Sequence, residues 1–329
     1  MTIDRRTVLT AAGAAALASQ LPSTTANAAS PPTGQQNAGF YRYKVGDFEI
    51  TVVTDGVNRF KVPENFITNV KFDDVKAEIA QSFMSADEFS VPYSPIVVNT
   101  GSKLIVIDTG TGEANFATSK GAAGQFQRNL AAAGIDAKNV DTVIISHYHG
   151  DHVNGLLKAD GTLAFPNAEI LVPATEHKFW MDDGEMSRAT PGRMQGLFKN
   201  NRSLFSGEVA KRVKTYDAGK EVVSGITAVA TPGHTPGHTS HIIASGNKRV
   251  VAQADVTNVP FLFAKNPGWH AAFDQDGKMA EETRRKFYDM LAAEKVTVQG
   301  FHYPFPAVGH VEKDGNGYRV IPVMWSSSL

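Results

Sequence analysis

Short apolar runs recur along the chain with turn residues between them, and most have the length and β-branched content of strands. Residues 41–45 and 48–53, separated by Gly46-Asp47, predict a hairpin that Thr54-Asp55-Gly56 ends, with Asp55 reading as a turn residue. Residues 96–107 predict a second hairpin, turning at 100–102 and delivering Asp108 to a strand end, as a turn residue or as support for a neighbouring ligand. Further strands are predicted over 143–145, 169–173, 226–230, 241–244, 249–252 and 296–298, and a last hairpin turns at 314–317. Helical spacing of apolar positions covers 125–134, 175–181 and 280–294. Residues 182–212 show only weak periodicity and predict an irregular stretch, placed to act as a lid or a subunit contact.

The apolar run at Val143-Ile144-Ile145 reads as an interior strand, so the polar cluster that follows must lie at its end. That cluster contains His147, His149, Asp151 and His152. In extended backbone a spacing of two puts His147 and His149 on one face, close enough to share an ion, while Asp151 and His152 continue around the turn toward a second. Three other strands also lead to a ligand type within a few residues: 226–230 to His234, 249–252 to Asp255 and 296–298 to His302. If these ends gather on one edge of packed sheets, the tally suits two divalent metals, zinc foremost: His147, His149 and His234 for one, and Asp151, His152 and His302 for the other, with Asp255 between them. Three terminal ligands per ion leave room for a shared hydroxide, the open position that hydrolysis requires. His238 and His241, set among rigid Pro-Gly turns, read as structural or supporting groups, and His177, His270 and His310 as surface or packing residues.

Composition narrows the picture. The 329 residues, 42% hydrophobic and 20% charged, suffice for a large globular body. With no cysteine, neither a disulfide nor a thiolate ligand is available, so any metal site must use histidine and carboxylate. Arg5-Arg6, the Ala-rich run after it and Ala26-Asn27-Ala28 predict a twin-arginine export signal over residues 1–28, and hence a periplasmic or secreted protein. Its apolar run is shorter than the roughly 20 residues a bilayer span requires, so no stable membrane anchor is expected. Without Asp4, Arg5 and Arg6 the 32 basic and 33 acidic residues become 30 and 32, a net charge of −2 that gives nucleic acid no purchase. Residues 29–38, rich in Ser, Pro, Gly and Gln, predict a flexible lead-in to a single domain over 39–329.

The motifs Ser146-His-x-His-x-Asp-His152 and Thr231-Pro-Gly-His-Thr-Pro-Gly-His238, with Asp255 and His302, resemble the metallo-β-lactamase superfamily over residues 39–325. The resemblance implies an α/β fold, a four-layered αβ/βα sandwich with a dinuclear metal site between its sheets. Within the superfamily the chain looks most similar to the methyl parathion hydrolases, through Gly46-Asp-Phe-Glu-Ile50, Val98-Asn-Thr-Gly-Ser-Lys103, Phe165-Pro-Asn-Ala168 and Gly309-His310. That likeness implies an exported, homodimeric zinc hydrolase of small molecules, with phosphotriester, lactone or aryl ester substrates and with Asp151 and Asp255 as its catalytic carboxylates. An N-acyl-homoserine lactonase is the nearest alternative, and a di-iron redox protein the alternative from another class. Lactamases proper generally lack the bridging aspartate, so Asp255 argues against antibiotic hydrolysis. One departure is Ala254, where glycine is common. By the same likeness Phe116, Trp180 and Phe198 are expected to roof the basin as a substrate pocket.

Overall fold

The computed structural model describes residues 32–34 and 36–329, and the expected export signal lies outside them. The chain divides after Asn37, and the unit Ala38–Leu329 carries the elements that follow. Its first sheet has seven strands in the order β1 (Phe40–Val45), β2 (Phe48–Val53), β5 (Ile96–Asn99), β6 (Leu104–Ile107), β7 (Thr142–Ile144), β8 (Glu169–Pro173) and β9 (Val213–Tyr216). The second sheet also has seven: β10 (Glu221–Val223), β11 (Ile226–Ala230), β12 (Thr239–Ser245), β13 (Lys248–Ala252), β14 (Thr297–Gln299), β15 (Val308–Asp314) and β16 (Gly317–Pro322). Strands β3 (Gly56–Phe60) and β4 (Phe89–Tyr93) form a separate two-stranded ribbon.

Period-two alternation in the first sheet sorts its residues between two cores. Ile50, Val52, Ile96, Val98, Ile105, Ile107, Ile144 and Leu171 point to one side, where they meet Ile226, Ile243, Val250 and Val298 of the second sheet. Val53, Val97, Val106, Val143, Ile170 and Val172 point to the other and are covered by Phe126, Leu130, Trp180 and Phe198 from helices. Helix Gly277–Glu294 brings Phe287, Tyr288 and Leu291 to the second sheet. Helix, sheet, sheet and helix are thus stacked as four layers, the metallo-β-lactamase fold expected from the motifs. Each fully buried Val or Ile side chain in these layers contributes about 1.5–3 kcal/mol of apolar transfer, so a one-residue slip, which would exchange the two faces, is strongly disfavoured.

The stretch 182–212, expected to be irregular, contains the helices Asp183–Arg188, Arg193–Leu204 and Gly207–Ala210. Their short lengths, with Gly184, Gly192 and Pro191 at or near their ends, obscure the 3.6-residue period. No helix among the described residues is long and apolar enough to cross a membrane.

Candidate metal centre

Four strands end beside one another and each carries part of the centre. After β7 the chain places His147 and then His149, whose extended backbone (φ −72°, ψ 148°) leads into the single turn Gly150–Val153 that bears Asp151 and His152. The loop after β11 brings His234, the turn after β13 brings Asp255, and the segment after β14 brings His302. Of these seven groups all except Asp151 are buried.

The ligand atoms fall into two end groups, His147, His149 and His234, and Asp151, His152 and His302, joined by a third made of His147, His152 and Asp255; within each, the atoms lie within 4.8 Å of one another. Asp255 spans the two halves: its Oδ1 is 3.3 Å from His152 Nε2, and its Oδ2 is 3.3 Å from His234 Nε2 and 3.0 Å from His302 Nε2. Asp151 Oδ2 stands 3.6 Å from His152 Nε2 and 3.5 Å from His302 Nε2.

Hydrogen bonds from behind fix which nitrogen each ring turns inward. His152 Nδ1 donates to Asp108 Oδ2 at 2.8 Å, His234 Nδ1 to Asp274 Oδ1 at 2.7 Å and His302 Nδ1 to the Pro92 carbonyl at 2.8 Å. Ser146 Oγ donates to Asp108 Oδ2 at 2.7 Å and so accepts from His147 Nδ1 at 3.1 Å. Each of these four rings therefore turns its Nε2 into the centre. His149 is reversed, with Nδ1 facing inward, 2.8 Å from His234 Nε2.

His147 Nε2, His152 Nε2 and Asp255 Oδ1 are buried without a hydrogen-bond partner. Orphaned lone pairs converging in this way are costly unless a cation accepts them, and imidazole with carboxylate is a donor set that suits zinc. The residues present therefore fit a dinuclear site.

The local charges agree. Burial, with the neighbouring His152 and His149, pushes His147 well below its ordinary pKa, and burial with His234 and Arg193 does the same to His149. Burial also works against protonation of His152, but Asp255, Asp151 and Asp108 raise it well above the usual value. For Asp255 burial opposes ionisation, yet His302 and His152 hold its carboxyl well below the usual carboxylate range.

Several supporting groups carried weaker sequence signals. Asp55, expected as a turn residue, is fully buried, and it accepts from the Thr111 amide and hydroxyl and the Phe126 amide at 2.7–2.9 Å, tying the loop after β6 to the start of the helix Phe126–Ala132. His238 Nε2 accepts from the Asp255 amide at 3.0 Å and so fixes the central carboxylate from its backbone. Asp274 lies in an irregular segment with no period to announce it. Ala254, next to Asp255, has φ +50°, the left-handed region that accounts for glycine being common there.

A cavity of about 760 Å³ opens above the cluster. Its apolar wall is made by Phe60, Phe66, Val91, Tyr93, Leu197 and Phe273. None of the three expected roof aromatics lines it. Trp180 is fully buried, its indole N–H donating to Glu176 Oε1 at 2.8 Å, and Phe198 packs on it with ring centroids 4.7 Å apart. Both are core because their helices cover the outer face of the first sheet. Phe116 turns away under Arg128, whose guanidinium lies 4.6 Å from the ring centre, while its neighbours Ala114 and Asn115 face the cavity. The aromatics that do line it were missed because Phe60 and Phe66 follow no period beyond a short ribbon strand and Phe273 sits beside Asp274 in the same irregular segment.

The family profile described as the metallo-beta-lactamase superfamily matches residues 91–296. Among solved structures, AidC, a dizinc quorum-quenching lactonase in complex with the product N-hexanoyl-L-homoserine, is 27% identical with a TM-score of 0.81, covering 88% of this chain and 99% of that one. The hydrolase AbOPH of the beta lactamase superfamily is 30% identical with a TM-score of 0.80, covering 89% and 100%. An N-acyl homoserine lactonase from Bacillus sp is 26% identical over 197 residues, 59% of this chain and 64% of that protein, so the chain spans less than two thirds of that relative.

Proposed function

Because the chain belongs to the metallo-beta-lactamase superfamily, we propose that it is a dinuclear metal-dependent hydrolase of small esters, with lactones as its leading substrates. The observation that carries this reading is the convergence of two ligand trios and a spanning carboxylate beneath a basin with an aromatic wall. Bound there, two divalent cations, zinc first among candidates, would polarise a carbonyl or phosphoryl oxygen and supply a hydrolytic nucleophile at neutral pH. His147, His149 and His234 would hold one, Asp151, His152 and His302 the other, and Asp255 would span them.

The remaining work falls to the chain. Phe60, Phe66 and Phe273 exclude water and receive an acyl chain or an aryl group. Asp255 Oδ1, which has no hydrogen-bond partner, is placed to hold a proton on its way to the leaving alkoxide of a lactone. A phenolate leaving group is already stable and needs no such step. The phenol of Tyr93 borders the basin, and burial pushes its pKa up, so it keeps its proton as a donor throughout the neutral range.

The lactonase named in AidC and in the Bacillus relative supports this choice. A second reading, a methyl parathion hydrolase-like phosphotriesterase, is favoured by the aromatic wall, which suits a flat aryl leaving group. The test is turnover by zinc-loaded protein of N-hexanoyl-homoserine lactone, an aryl acetate, an aryl dialkyl phosphate and a cephalosporin. Lactone and aryl acetate should be hydrolysed and the cephalosporin left intact. Turnover confined to the phosphate would make the second reading the function, and turnover of the cephalosporin alone would overturn both.

A further inference from the structure

Among the described residues Arg193 is the only lysine or arginine lining the basin. It begins the helix Arg193–Leu204, where Gly192 reverses the chain at φ +95°. Phe198 and Leu204 of that helix are buried, and Asn200 donates to Asn154 Oδ1 at 3.0 Å. The helix is thereby fixed to both the core and the motif loop, and it holds Arg193 and Leu197, one turn apart, over the cavity. Arg193 is exposed as a residue, but the end of its side chain reaches inward until Nη2 is 3.4 Å from His149 Nε2.

No ion pair joins this guanidinium to a carboxylate among the described residues, since Asp151 and Asp274 act on it only from farther away. Its one side-chain hydrogen-bonding partner among the described residues is His149, and with a metal on His149 Nδ1 the ring proton would sit on Nε2, so that two N–H donors would face each other. An arginine with five donors and no carboxylate partner, facing the basin, is available to an anionic ligand from outside the chain.

We propose that Arg193 is a specificity-determining residue that holds a carboxylate in the basin; resting on the ester and lactone reading above, this is the carboxylate that hydrolysis releases. Water adds across the acyl C–O bond, the acyl carbon keeps the carboxylate, the oxygen leaves as the alcohol, and one proton passes to solvent. The planar fork of the guanidinium matches the two carboxylate oxygens, whereas the neutral ester offers it a single weaker acceptor. Arg193 therefore favours retention of product over substrate.

The test is equilibrium binding, by calorimetry on zinc-loaded protein, of hexanoate and of its neutral isostere hexanamide. Arg193→Ala should weaken hexanoate about five- to tenfold, the partly solvated pair standing at the low end for a charge-assisted contact, and hexanamide less than twofold. Arg193→Lys should keep part of the preference and lose it in high salt. Metal content measured alongside shows whether the His149 site is intact, and Arg193→Gln serves as the neutral variant if Arg193→Ala loses metal. Equal weakening of both probes, or none of either, overturns the proposal. The probes are ligands, not substrates, so this result stands whether or not the lactone is turned over.

Discussion

At the scale of single residues, most ring nitrogens turned into the basin have a partner at the opposite nitrogen, and the groups behind them are themselves tied down. Glu176 shows how far back this extends. Its fully buried carboxylate accepts from the Tyr148 amide at 2.9 Å, Trp180 Nε1 at 2.8 Å, Thr235 Oγ1 at 2.9 Å and the Gly237 amide at 2.8 Å. It therefore locks the residue between His147 and His149 to the turn just after His234. Trp180 belongs to this lock and not to the substrate pocket. Trp180→Ala removes a fully buried indole and one of the four donors, so it should cost about 3–5 kcal/mol of stability in chemical denaturation and should reduce metal retention. A variant that keeps wild-type stability and changes only the Michaelis constant would return Trp180 to the pocket.

At the scale of elements, the strands were the legible part. β2, β5, β6, β7, β8, β11 and β13 are runs of β-branched residues, and each was expected within a residue or two of where it lies. The ribbon β3–β4 was not, because Gly56-Val57-Asn58-Arg59-Phe60 alternates too weakly to stand out, although its partner strand supplies the Pro92 carbonyl that orients His302. Helix Phe72–Gln81 was missed as well, its apolar stripe being thin beside its charges. The seven ligand types were readable because each follows an apolar run; the aromatic wall was not, since burial of a lone phenylalanine leaves no mark in sequence.

One element also carries a pH dependence. His241 on β12 donates from Nε2 to the Tyr216 hydroxyl at 2.9 Å, and that hydroxyl donates onward to the Ile145 carbonyl at 2.9 Å. Burial pushes the pKa of His241 down to about 4, below an unfolded value of about 6.5. Between those values the unfolded chain binds the extra proton. The stabilisation is thus complete above about pH 6.5 and lost as pH falls through 4, amounting to roughly 3 kcal/mol. In chelated protein, His241→Gln should flatten the fall in unfolding free energy between pH 6.5 and 4. An unchanged slope would place the acid sensitivity elsewhere.

At the scale of the whole molecule, two sheets meet face to face with helices outside them, and the strand ends that carry ligands come from both sheets. His147, His149, Asp151 and His152 follow the first sheet, while His234, Asp255 and His302 follow the second. Closing the sandwich and assembling the centre are therefore one event, and cations that bind only the closed form stabilise it by mass action. The direct measurement is a zinc titration of chelated protein, following bound metal and hydrolysis of N-hexanoyl-homoserine lactone together. Two equivalents should bind per chain, with turnover reaching its plateau at the second and with Asp255→Ala holding fewer. Saturation at one equivalent with full activity, or two equivalents bound with no hydrolysis of any ester, would contradict a dinuclear hydrolase.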